Sequence, residues 1–275
     1  MLTPHGRFLA QAAGRSRGNV LLRIEQYRIA GDEVRKLAIA KNMIFGKLYN
    51  SRWNLERSIR DHSLRIDERQ VKNASNQILT NLHKVADVQN IDSLRGIEGE
   101  SASTYFSVFN DLILNQKDDF TFADRSRRPP MDRVNAMLSF GYALLRNDCA
   151  SALESVGLDP YVGIMHGNRP GRESLALDFM EELRSVVVDR MVLTLVNNRM
   201  IDRKGFDCDE DGAVLLNDKG RKIFLNFWQE RKRMEITHPY LKEKIQWGLV
   251  PYVQALLLAR NIRGDLEAYP PFLWK

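Results

Sequence analysis

Cysteine is nearly absent from this chain: two residues in 275, Cys149 and Cys208. Neither has a CxxC neighbour, which excludes a cysteine-built zinc site and a disulfide-stapled secreted domain, and Cys149 reads as core. Long apolar runs are missing as well. The N-terminus carries no signal-type stretch, and Val253 to Ala259, interrupted by one Gln, is far shorter than the ~20 residues a membrane helix needs. A cytoplasmic protein with no membrane association is expected. No fixed-period repeat occurs, so a solenoid is excluded. Acidic residues are the minority charge, 35 Asp and Glu against 41 Lys and Arg, for a net charge of +6. That balance favours a polyanionic partner without identifying one. The 44% of apolar residues supports a folded core in a chain of this length.

Periodicity makes the chain mostly helical. Residues 19–62 carry Leu37, Ile44, Leu48, Leu55 and Ile59 on one face, and Val71, Ala74, Ile78, Leu82 and Val85 mark a second amphipathic helix. Asp92 and Ser93 are expected to cap a third, running to about Leu114. A polar loop follows over 118–130, then a helix over 131–156 stopped by Gly157. A Gly- and Pro-rich loop over 159–172 leads to one long helix from Glu173 to about Asn198. A small hairpin is placed within 202–217, with 213–216 as one strand, and two or three helices close the chain, one with Pro251 in its first turn. Residues 1–20 differ from the rest. Arg7 to Ala10 has strand character but no strong partner strand within roughly the next 180 residues, so 1–20 reads as the remnant of a β domain and 21–275 as a helical domain.

Carboxylates stand where apolar residues belong. Steps of three and four connect Leu94, Glu98, Ala102, Tyr105 and Phe109, so Glu98 interrupts a core stripe while Glu100 points elsewhere. A buried carboxylate costs several kcal/mol unless it is paired or binds metal. An ion pair with a neighbouring helix satisfies it as well as a cation does. Gly96 and Gly99 flank Glu98 at about 1 kcal/mol each in a helix interior, which suggests close approach of another backbone or a ligand. Farther on, Asp178, Glu181, Ser185, Val188, Val192 and Leu195 share a face. Dipole stabilisation in a first turn accounts for Asp178 but less well for Glu181. The run Tyr161-Val-Gly-Ile-Met-His166 delivers a histidine to the mouth of that helix. One histidine and two or three carboxylates make a site for Mg²⁺ or Mn²⁺. Arg127, Arg128, Arg169, Arg172 and Arg184 are the candidate phosphate contacts, with ordinary surface charge as the plain alternative.

Two other patterns carry less. Asp207-Cys-Asp209-Glu-Asp211-Gly212 opens like a calcium loop. However, Leu215 holds the ninth place and Asp218 the twelfth, so a solvated hairpin tip is expected. Glu235-Ile-Thr-His238 has the spacing of a di-iron bundle ligand pair, but it occurs once and Pro239 follows directly.

The segments Gly96-Ile-Glu98-Gly-x-x-Ala-x-x-Tyr-Phe106, Tyr161-Val-Gly-x-x-His166 and Ser174-Leu-Ala-Leu-Asp178-x-Met-Glu181-Glu-x-Arg184 together resemble the motifs of the CRISPR-associated spacer-acquisition integrase family. The loop Arg125-Ser-Arg-Arg-Pro-Pro130, the segment 134–140 and the closing Tyr269-Pro-Pro-Phe-Leu-Trp274 extend the likeness, which is greatest to the subtype I-C branch. It implies an all-α, metal-dependent DNA endonuclease and integrase that joins 3′-hydroxyl ends of short duplex DNA into a repeat array by transesterification. The metal ligands it implies are Glu98, His166 and Glu181, with Asp178 near the metal. The implied partners are double-stranded DNA, a small CRISPR-associated subunit and a second copy of the chain, the last weakened by the short N-terminus. Two features depart from the family pattern: the tripeptide Gly167-Asn-Arg169, and most of the N-terminal β domain, which is lacking. A non-catalytic helical DNA-binding remnant is the alternative.

Overall fold

The computed structural model describes residues 20–275; the strand and β-remnant expected within 1–19 lie outside them. Among the described residues the architecture is helical with two small hairpins, as the periodicity requires. The stretch expected as one helix from Asn19 is two, α1 (Val20–Ala30) and α2 (Glu33–His62). Gly31 and Asp32 separate them because the Asp32 carboxylate accepts from the backbone N–H groups of Val34 and Arg35 and starts a new helix. Asp67 caps α3 (Glu68–Lys84) in the same way. The cap of α4 (Ile91–Ser107) is Asn90, not Asp92 or Ser93: its side-chain oxygen accepts from Ser93 N at 2.8 Å. That helix also ends earlier than expected, in a 3₁₀ turn over Phe109–Leu112.

Asp132 caps α5 (Arg133–Ser155), and Gly157, at φ 92°, supplies the left-handed turn that stops it. The single long helix expected from Glu173 is the largest departure. It is built of α6 (Ser174–Phe179), a 3₁₀ turn over Glu181–Leu183, a π-helical stretch over Arg184–Asp189 and α7 (Arg190–Asn197). Strands β1 (Phe206–Cys208) and β2 (Val214–Leu216) form the expected hairpin, with Asp207 opposite Leu215. At its tip the Asp209 carboxylate accepts from Ala213 N at 2.7 Å, so this acid stabilises a turn.

After α8 (Asp218–Arg233) comes a hairpin the periodicity did not mark, β3 (Glu235–Thr237) with β4 (Lys244–Gln246). It consumes the Glu235–His238 pair: Glu235 lies on a strand, and His238 is buried, its Nε2 3.1 Å from Gln254 Oε1. Helix α9 (Val250–Arg263) carries Pro251 in its first turn as expected. No helix among the described residues is long and apolar enough to cross a membrane.

Helix α2 organises the fold. Its 30 residues pack against α3, α4 and the 181–189 segment. Ile44, Leu48 and Leu55 on α2 are fully buried in one core with Ile78, Leu94, Phe109 and Val188. At the middle of α2 the helix meets α4 and the 181–189 segment, and all three carry charge there.

Candidate active site

The charge meets at Lys47. Its ammonium bonds Glu98 Oε1 on α4 and lies 2.7 Å from Glu181 Oε2 on the 3₁₀ turn. Lys47 belongs to the buried face of α2 defined by Ile44, Leu48, Ser51 and Leu55, and its side chain is 12% exposed. Glu181 is almost wholly buried. Burial pushes its carboxyl up, but Arg184 and Lys47 outweigh that cost and hold it down at about 2. Arg184 Nη2 sits 3.1 Å from Glu181 Oε1, and the guanidinium lies over the Tyr142 ring at 5.0 Å. Glu98 is half-buried rather than deep in a core stripe, and Glu100 is exposed, as its helical position requires. A Cβ at Gly96 or Gly99 would meet nothing within 4 Å, so no other part of the described chain approaches them.

His166 is held from below. The Asp178 carboxylate accepts from the backbone N–H groups of Ile164 at 2.6 Å, Met165 at 2.9 Å and His166 at 2.9 Å. Its Oδ1 also lies 2.5 Å from His166 Nδ1. A carboxylate accepts only, so Nδ1 carries the proton and Nε2 is left open. Asp178 thus closes the loop and fixes the imidazole, a larger role than stabilising a helix dipole. Gly163 makes the tight loop possible: a Cβ there would fall 2.3 Å from the His166 carbonyl and 2.7 Å from Ser174 Cβ.

The structure therefore joins Glu98 to Glu181 through Lys47, and His166 to Asp178. Among the described residues, no three His, Cys, Asp or Glu side chains stand together as a ready-made metal cage. Asp178 holds the imidazole, and an ammonium lies between the two acids. That ammonium is itself a test of fit. Two carboxylates from separate segments already share one positive charge, and the donor set is hard, as a divalent cation such as Mg²⁺ requires.

Around the cluster, Arg127, Arg128 and Arg169 are exposed, whereas Arg172 is half-buried. Arg184 is engaged with Glu181. Arg127 and Arg184 border a cavity of about 30 Å³ beside Lys47, room for a water or two.

Several residues of this region escaped the sequence reading. Lys47 was detectable, since three- and four-residue steps place it in a core stripe. Glu182 was masked by Glu181. It is fully buried with no cation beside it, its carboxylate accepting from Tyr269 OH, from Gln254 Nε2 at 2.9 Å and from Phe272 N at 2.9 Å. Burial raises it to about 7 against those donors. Asn50 continues the network by donating to the carbonyls of Glu182 and Phe272, both at 2.7 Å. The tail 269–274 is thereby docked on Asn50 and on Glu182, the residue after Glu181. Asp189 is buried against Tyr142 OH at 2.6 Å, and burial raises it to about 6.

Comparison with known proteins gives this arrangement a context. The family model described as CRISPR associated protein Cas1 matches residues 1–230. A CRISPR-associated endonuclease Cas1 of Rhodospirillum rubrum is 52% identical over 274 residues, covering 98% of this chain and 79% of the relative. One of Chlorobaculum tepidum is 47% identical over 274 residues, covering 100% of this chain and 80% of the relative. Among solved structures, a casposase bound to integration product superposes with a TM-score of 0.83 at 27% identity, covering 100% of this chain and 74% of that one. With its helical domain, its paired acids and these matches, the chain belongs to the Cas1 family of CRISPR-associated endonucleases.

Proposed function

We propose that this protein is a divalent-metal-dependent DNA endonuclease and integrase that joins the 3′-hydroxyl ends of short duplex DNA into a CRISPR repeat array. The observation that carries the reading is the meeting of Glu98 and Glu181 over a single cationic group. Family membership supplies the substrate class. In the joining step the 3′-hydroxyl oxygen forms a bond to phosphorus as the bond from phosphorus to the departing 3′-oxygen breaks, so no nucleotide energy source is required. With water as nucleophile the same site hydrolyses the strand.

Glu98, Glu181 and His166 would hold Mg²⁺ or Mn²⁺, which when bound stabilises charge on the phosphate and acidifies the attacking hydroxyl or water. The chain's own contribution is preorganisation. Arg184 keeps Glu181 ionised and fixed, and Asp178 sets the imidazole tautomer with the Nε2 lone pair open to ligate; only an imidazolium, with Nε2 also protonated, would hand a proton to the departing oxygen. Lys47 offsets one of the two negative charges of the acid pair and is placed to turn toward a phosphate when that pair is otherwise engaged. Assembly with a second copy and with a small CRISPR-associated subunit belongs to the same proposal.

The alternative, a non-catalytic DNA-binding protein, is favoured by one observation, the occupation of the space between both acids by the Lys47 ammonium. A nicking assay on supercoiled DNA with Mg²⁺ or Mn²⁺ separates the two. Activity is expected in the wild type, with loss in Glu98→Gln and little change in Glu100→Gln. Equal loss from both changes, or no metal-dependent nicking at all, would reject the catalytic reading.

A further inference from the structure

Ten residues beyond Lys47 on α2, about 15 Å along the helix axis, Arg57 shares a polar cavity of about 190 Å³ with Arg190, the first residue of α7. Asn54, Ser58, Thr194 and Asn198 contribute its walls. The charges in it do not balance. Among the described residues, Arg190 has no side-chain ion pair or hydrogen bond. Arg57 reaches only Asp61, at 3.3 Å, and Asp61 is shared with Arg60 at 2.9 Å. Arg231 lies close enough to repel Arg190 but is committed elsewhere, donating to Val186 O at 3.0 Å and lying over Trp247. Burial first, then repulsion from Arg57 and Arg231, lowers Arg190 to about 10. A half-buried cation facing other cations, attracted by an aspartate, Asp61, that Arg57 and Arg60 already share, is costly in a folded chain. A partner from outside the chain relieves that cost.

We propose that this cavity is a phosphate seat, in which Arg57 and Arg190 clamp a backbone phosphate of the DNA strand engaged at the Glu98–Glu181 cluster. The proposal rests on the DNA-processing reading above and adds a second anchoring point to it. The planar guanidinium forks suit phosphate oxygens. Among the lysine, arginine, aspartate and glutamate side chains that line the cavity, two arginines against one aspartate leave a single positive charge, which matches the single negative charge of a phosphodiester better than that of a free dianion. Because α2 carries both Lys47 and Arg57, the two points form a rigid ruler.

The test is binding of a labelled duplex to the full chain across a range of KCl concentrations, with Arg190→Gln, Arg57→Gln and the surface control Arg263→Gln, which loses the same charge. Each cavity variant is expected to flatten the log–log salt dependence by about 0.9 and to weaken binding about eightfold at roughly 0.1 M salt, while the control does neither. The melting temperature of Arg190→Gln should equal or exceed that of the wild type, because like-charge repulsion is relieved. If that variant fails to fold, Arg57→Gln, whose parent side chain is 47% exposed, carries the test.

Unchanged salt slopes in both cavity variants would overturn the seat while leaving the catalytic reading intact, provided the wild type still nicks DNA and Glu98→Gln does not. If inorganic phosphate raises the melting temperature of the wild type but not of Arg190→Gln, and the DNA slopes are unchanged, the cavity binds a free anion and the assignment to a DNA phosphate is wrong. Failure of the wild type to bind or nick DNA would reject both.

Discussion

Glu181→Gln tests the electrostatic core of the site. The Glu181 carboxylate is held at about 2 instead of 4.5 by Arg184 and Lys47, against the cost of burial. A folded-state value below the unfolded one means stability that is fully present above pH 4.5 and is lost as pH falls toward the folded value. The displacement is about 2.5 pH units, which at about 1.4 kcal/mol each comes to roughly 3 kcal/mol at pH 7. By about pH 3 more than half of it should be lost. The variant should therefore melt roughly 6–12 °C below the wild type at neutral pH, with a gap that narrows by about 2 kcal/mol on acidification. Urea unfolding of both proteins at several pH values measures this directly. The comparison must be of differences, because Glu182 next door shifts in the opposite sense and its contribution cancels between the two proteins. Added Mn²⁺ should stabilise the wild type by mass action and the variant far less. A variant as stable as its parent at pH 7, or a stability gap independent of pH, would refute the claim that Lys47 and Arg184 keep this acid ionised.

Three further outcomes are expected. Asp178→Asn should keep the fold of the helices but reduce nicking by a factor on the order of 10–100, as removal of a partner that orients a metal-ligating histidine does; wild-type rates would contradict the positioning role. Gly163→Ala should cost roughly 1–3 kcal/mol through overpacking, because its new Cβ meets the His166 carbonyl at 2.3 Å, and unfolding that matches the wild type would show that the loop tolerates a side chain. Among the expected phosphate contacts, substitution of exposed Arg127, Arg128 or Arg169 should each flatten the salt dependence of DNA binding by about one if it touches a phosphate. Substitution of Arg184 should instead lower stability first, through the loss of its pair with Glu181; the reverse pattern would mean that Arg184 is free for the substrate.

The helical class, most helix positions and the anomalous acids were legible in the sequence, because amphipathic periodicity and a carboxylate within an apolar stripe are local patterns. Asp178 and Glu181 stood out for that reason, and both are buried. The resemblance drawn from three short motifs led to the family that the comparisons then showed. Partnership was decided only in three dimensions. Lys47 lies 51 positions before Glu98, and nothing local says that its ammonium joins that acid to Glu181. His166 and Asp178 were both singled out, yet the hydrogen bonds that bind one to the other depend on how Gly163 lets the loop turn back. The 3₁₀ and π turns after Phe179 gave no periodic signal, since each runs for less than two turns. They set neighbouring glutamates in opposite surroundings. Glu181 faces two cations and is held ionised, and Glu182 faces neutral donors from the tail and is pushed toward protonation. Residue type and spacing supplied the charges; which charge meets which was decided by packing around α2, because a buried ion is stabilised only by what tertiary structure brings within a few ångströms of it.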